Sequence, residues 1–162
     1  FPYTTLFRSM AAETGDVNMV LLLLKMGADF NLRDEEQATP FHLACLKQFF
    51  AVANLLIIYG DRSYNTQGIA PLSVKFKESF QQQQTQFDTW RSGVEEYDAR
   101  KQTQLHLAVR FFSPPAIRSL AKTDSQALNQ ADTSGNTPGD IAKTHHPEAI
   151  TLLKQLGSLS CQ

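Results

Sequence analysis

Thr39-Pro40-Phe41-His42-Leu43-Ala44 is the stretch on which the fold turns. The Thr39 hydroxyl can cap a helix, and Pro40 suits the first helical position, where a missing N–H costs nothing. Phe41, Leu43 and Ala44 add a short apolar body. The phrase returns in worn form as Ala70-Pro71-Leu72-Ser73-Val74, as Thr103-Gln104-Leu105-His106-Leu107-Ala108 and as Thr137-Pro138-Gly139-Asp140-Ile141-Ala142. Recurrence at a nearly fixed interval marks a repeat array, in which each unit is one supersecondary element stacked on its neighbours.

With Asp34 as the first place of a unit, Thr39-Pro40 occupies places six and seven. Equivalent starts fall at residue 1, Asn65, Asp98 and Asp132, with spacings of 33, 31, 33 and 34. Each unit is expected to contain a turn, a first helix, a link, a second helix and a return loop. In the first unit Met19, Leu22, Leu23 and Met26 recur at i, i+3, i+4 and i+7, the apolar stripe of a buried helix. Gly27 follows as a helix stop. Val52, Leu55, Leu56 and Tyr59 before Gly60 repeat the pattern, as do Ala149, Leu152, Leu153 and Leu156 before Gly157. Asn31 to Asp34 parallels Asn129 to Asp132 as a return loop, and Gly60 to Asn65 parallels Gly93 to Asp98.

The third unit is the weakest. Its second helix is expected from Phe80 through Arg91, across the run Gln81 to Gln84. A glutamine tract is often solvated, but Phe76, Phe80, Phe87 and Trp90 are spaced to share one helical face. In the fourth unit Ser113-Pro114-Pro115 starts the second helix, with Ile117 and Leu120 as its anchors and Asp124 where a glycine would stand.

The 162 residues suffice for one sizeable core, and 42% apolar content excludes a disordered chain. Fifteen basic and sixteen acidic residues leave a net charge of −1 without long runs of one sign, so nothing points to nucleic acid or an anionic membrane. Met19 to Leu24 is too short to span a bilayer. Cys45 and Cys161 read as two reduced thiols of a cytoplasmic-type protein. Phe1 to Ser9 resembles a translated sequencing-adapter tail and is expected to be a non-native leader. The alternative is a degenerate start of the first unit, which fits in length.

A period near 33 with Thr-Pro-x-His at places six to nine resembles the ankyrin repeat, a β-turn followed by two helices. The resemblance covers residues 10 to 157. It implies an all-α solenoid over residues 10–162, with units at about 10–33, 34–64, 65–97, 98–131 and 132–157. It also implies that Thr39 with His42, and Thr103 with His106, hydrogen-bond within and between neighbouring turns. Thr137 and Pro138 open the first helix of the last unit, whose Asp140 replaces His in a pattern close to a capping box. The family's glycine between the two helices survives only as Gly15. Gln48, Ser79, Phe112 and His146 stand in its place, so distorted links are expected in units two to five.

The turn role of His42 and His106 leaves them no part as metal ligands or bases. His145 and His146 are adjacent and would point about 100° apart on a helix, so they cannot share a metal. No phosphate loop, paired-cysteine motif or nucleophile elbow occurs, and Cys45 reads as core. The chain is therefore expected to be non-catalytic, to need no cofactor or metal, and to act as a monomeric module binding another protein. By the resemblance, partners are held at hairpin tips and in a concave inner-helix groove. Tip candidates are Glu35, Glu36, Thr66, Gln67, Arg100, Thr133 and Ser134. Groove candidates are Lys47, Phe49, Lys77, Arg110 and Phe111, of which Lys47, Lys77, Arg110 and Phe111 are expected to form a basic groove with an aromatic floor. Two alternatives stand beside this reading: a regulatory or targeting part of a larger enzyme, and a bacterial effector delivered into a host cell.

Overall fold

The computed structural model describes residues 14–65, 78 and 81–159, and among these every regular element is helical. Residues 1–9, Thr66, Gln67, Phe76, Lys77, Phe80 and Cys161 lie outside the described residues. The chain divides into two compact units at Arg91/Ser92.

The first unit contains α1 (Val17–Lys25), α2 (Pro40–Leu46), α3 (Phe50–Ile58) and the first half of α4 (Gln84–Ala99). Helix α3 packs against both α1 and α2. That double contact explains why Val52, Ala53, Leu55, Leu56, Ile57 and Ile58 are all buried. The α1 stripe differs from expectation. Leu23 is buried, but with Val20, Leu21 and Leu24, whereas Met19, Leu22 and Met26 are 38, 51 and 53% exposed. Met19 to Leu24 is continuously apolar, so two helical faces satisfy the same periodicity, and packing on α3 selects the other one.

Phe41, Phe87 and Trp90 form the aromatic centre of this unit, with ring centroids 5.2 to 6.2 Å apart in edge-to-face pairs. Such pairs add ~0.5–1.5 kcal/mol beyond area burial. The indole Nε1–H of Trp90 donates to Asn54 Oδ1 at 2.9 Å, so its one polar atom is satisfied in the core. The glutamine run joins the helical region, and the Gln83 side-chain amide donates to the Cys45 carbonyl at 2.9 Å. Cys45 itself is fully buried.

Helix α4 runs through Gly93, where a return loop was expected. A Cβ on Gly93 would stand 3.0 Å from the Phe111 ring, so this glycine serves close packing and not a turn. The second unit continues with α5 (Gln104–Arg110), α6 (Pro114–Thr123), α7 (Pro138–His145) and α8 (Ala149–Gln155). Helix α5 packs on α6 and α7, and α7 packs on α8. Leu105, Leu107, Ala108, Val109, Ile117, Ile141 and Leu153 fill the interior.

Three of the links between paired helices keep one geometry, two of them without the glycine. Gly15, Gln48 and Phe112 all lie at place fifteen with φ of 62°, 60° and 46°. In the two non-glycine cases the next N–H returns to the helix, Phe49 to the Ala44 carbonyl at 2.8 Å and Ser113 to the Ala108 carbonyl at 2.9 Å. An L-residue in this conformation costs ~1–2 kcal/mol, so the fold bears strain where distortion was expected. Among the described residues at this place His146 departs, at φ −142°. Asp124 is likewise extended, at φ −141°, and caps the following 3-10 turn by accepting from the Gln126 N–H at 3.1 Å. It is not the left-handed stop that its place suggested.

Candidate functional site

The turns before α2 and α7 are built alike. Asp34 Oδ1 accepts from the N–H groups of Glu36 and Ala38 at 2.8 and 2.9 Å. Asp132 Oδ1 accepts from those of Ser134 and Asn136, both at 2.9 Å. A left-handed residue closes each turn, Gln37 and Gly135 respectively, and Lys101 takes the matching place before α5. With their backbone satisfied inwardly, Glu35, Glu36, Thr133 and Ser134 are left exposed at the tips. Thr133 is also tied down, because its N–H and its hydroxyl both donate to the Arg100 carbonyl at 3.0 Å.

Behind each tip a Thr-x-x-His/Asp box starts the helix. His42 Nδ1 accepts from the Thr39 N–H at 3.0 Å, and the Thr39 hydroxyl donates to Ser63 Oγ at 3.2 Å. His106 Nδ1 accepts from the Thr103 N–H at 3.1 Å, which leaves Nε2–H to donate to the Asn136 carbonyl of the next turn at 2.9 Å. Asp140 takes the histidine's place, accepting from the Thr137 N–H at 2.9 Å. Burial lowers the pKa of His42 to about 4, helped by the Arg33 charge. Burial also lowers His106, against the opposing hydrogen bond to Asn136. Both imidazoles are neutral and committed to the turns, so neither is free for acid–base work.

The second unit holds a charged cleft of about 280 Å³, lined by Glu96, Arg100, Asn136, Asp140, Lys143 and His145 among others. The Glu96 carboxylate bridges two guanidiniums: Arg100 at 2.5 Å on one oxygen and Arg110 on the other. Arg110 also contacts His145 Nε2 at 2.9 Å. Partial burial and the neighbouring Arg110 charge lower the His145 pKa, so Nε2 acts as the acceptor. Lys143 stands 4.0 Å from Asp140.

Of the groove candidates, Lys47 is exposed at the end of α2 and Arg110 is half-buried in the Glu96 bridge. Phe49 is half-buried with its ring over Gly15, whose Cβ position lies 2.9 Å from it. Phe111 requires correction: at 8% exposure, against Gly93, it is a core residue and not the exposed floor of a groove. The sequence reading passed over Glu96 and Lys143, and it weighed His145 only as a metal ligand and not as a groove residue. His145 holds the same place in its unit as Phe111 and Lys47, so carrying the alignment into the last unit would have found it. His145 and His146 do diverge: His146 stacks on Phe112 and contacts Glu148 Oε1 at 3.0 Å.

Comparison with known proteins agrees with this architecture. Residues 9–57 match a family model described as ankyrin repeats in many copies. A stretch of 63 residues is 41% identical to Protein phosphatase 1 regulatory subunit 27 of Homo sapiens, and equally to that of Mus musculus. The match covers 38% of this chain and 41% of each relative, so the chain spans about two fifths of the length of the relatives it matches. Among the described residues no helix is long and apolar enough to cross a membrane. The family match thus covers the first helix pairs, and the same Thr-x-x-His turn and helix pairing recur beyond it at Thr103 and His106, as an array of such repeats would have them.

Proposed function

We propose that this chain is a non-catalytic module that recognises another protein and acts in a regulatory or scaffolding role. The observation that carries the reading is the division of labour in the turns. Asp34, Asp132, His42 and His106 are spent on internal hydrogen bonds, while Glu35, Glu36 and Ser134 are held outward on a rigid base. Residues ordered before contact lose little entropy on binding, which favours recognition. The test is affinity capture with the chain and with a Glu35→Lys/Glu36→Lys variant, followed by mass spectrometry. A protein retained by the parent and lost from an equally stable variant is the expected result. Identical capture by both would refute a role for these tips.

A narrower reading has its own support in the likeness to a phosphatase regulatory subunit. It is that the partner is the catalytic subunit of protein phosphatase 1. Calorimetric titration of the two purified proteins tests it: a saturable complex supports it, and no heat of binding at about 100 μM, where even weak regulatory contacts register, removes it.

A further inference from the structure

We propose that the cleft beside Glu96 is an anchor site for one acidic side chain of a partner protein. The proposal rests on the recognition reading above and adds the chemistry of what is recognised. Two guanidiniums share a single carboxylate, so the Glu96 bridge retains one positive charge. Lys143 and Asp140 offset each other formally, and the neutral His145 adds none. The charged lining residues sum to zero, and Arg110, which contacts Glu96 and His145 without itself lining the cleft, brings the cluster to a formal +1, which one carboxylate neutralises.

The donors are also of the right kind. A guanidinium offers five N–H groups in a planar fork that matches a carboxylate in bidentate fashion. Arg100, which lines the cleft, spends one terminal nitrogen on Glu96, which leaves its fork with donors to offer, while Arg110 supplies charge from beside the lining. Arg110 and Glu96 side chains are only 16% and 22% exposed, so water and salt screen this charge less than they would on an open surface. Size points the same way. A cleft of about 280 Å³ lies just below the ~300–1,000 Å³ of small-molecule sites and suits one side chain. The chain's net charge of −1 disfavours a polyanion such as nucleic acid as the partner.

The experiment uses the full ¹⁵N-labelled chain and a capped probe peptide, acetyl-Gly-Ser-Glu-Leu-Glu-Ser-Gly-amide, followed by NMR at low salt. Saturable shifts are expected at Glu96, Arg100, Arg110 and the Asp140 to His145 segment. Replacing both peptide glutamates by glutamine should weaken binding about three- to fivefold, as should Lys143→Gln or Arg100→Gln in the protein, the range of a partly exposed ion pair. Lys143 is 52% exposed, so its variant should keep the parental melting temperature. Absence of shifts in the cleft up to about 5 mM peptide, well beyond millimolar affinity, would overturn the proposal. So would equal affinity for the Lys143→Gln variant, or stronger shifts of the same residues by inorganic phosphate. Shifts confined to the turn tips would defeat the acid anchor and leave protein recognition intact. That broader reading fails separately, through the tip-variant capture.

Discussion

Acid should unfold this protein partly through His42, and the effect can be isolated by replacing it. The folded chain holds His42 at a pKa of about 4, because the ring is buried and Arg33 lies near, whereas the unfolded residue titrates near 6.5. Between those values the unfolded state binds more protons, so stability falls as pH drops from about 6.5 to 4. The full window is worth on the order of 3 kcal/mol. Asp61 pulls the other way: burial raises its pKa, so acid relieves a buried charge there.

His42→Gln separates the two. A glutamine can still accept the Thr39 N–H through its amide oxygen but does not titrate. At pH 7 the variant should be less stable by about 1–2 kcal/mol for an imperfect buried hydrogen bond. Near pH 4 the order should reverse by a similar amount, since the parent alone pays for protonation. Urea midpoints of both proteins from pH 7 to 4, with the His42 ring titrated by NMR, measure this. Parallel stability curves, or a His42 that titrates near 6.5, would refute the reasoning.

Three further outcomes follow from packing and backbone geometry. Gly93→Ala gains about 1 kcal/mol of helix propensity but drives a methyl into the Phe111 ring, at a cost of ~1–3 kcal/mol; urea denaturation should show net destabilisation. Phe111→Ala should lower stability by ~3–5 kcal/mol, as for emptying a core site; an unchanged denaturant midpoint would restore it as a surface anchor. Gln48→Gly should raise the melting temperature slightly, because relief of ~1–2 kcal/mol of left-handed strain outweighs ~0.5–1 kcal/mol of added chain entropy. The same change at His146, which is not left-handed, should lower it.

Much of this fold was legible because its signals are local. Thr39, Thr103 and Thr137 each cap a helix, and Gly27, Gly60 and Gly157 each follow one with positive φ. Neither requires knowledge of what lies across the core. The errors arose where the answer depends on a distant neighbour. Gly93 reads as a stop signal by its place, but the Phe111 ring makes it a packing glycine inside a continuous helix. The Met19 stripe obeys the right period on the wrong face, because only the position of α3 distinguishes two apolar faces of one run.

The charged cleft shows the same limit from the side of function. Arg100 and Arg110 were identifiable from their places in the repeat, one at a tip and one at the end of a first helix. Their meaning was not, since it depends on Glu96, which sits in the stretch read as a return loop. Only when α4 is seen to run on to Ala99 does Glu96 come within reach of both guanidiniums. His145 then completes the arrangement from one unit further along, accepting from Arg110 at the C-terminal end of α7. A departure from the repeat, the helix that does not stop at Gly93, is thus what assembles the cleft. In a degenerate array the irregular unit is therefore the place to look for specificity, because regular units spend their distinctive residues on keeping the stack in register.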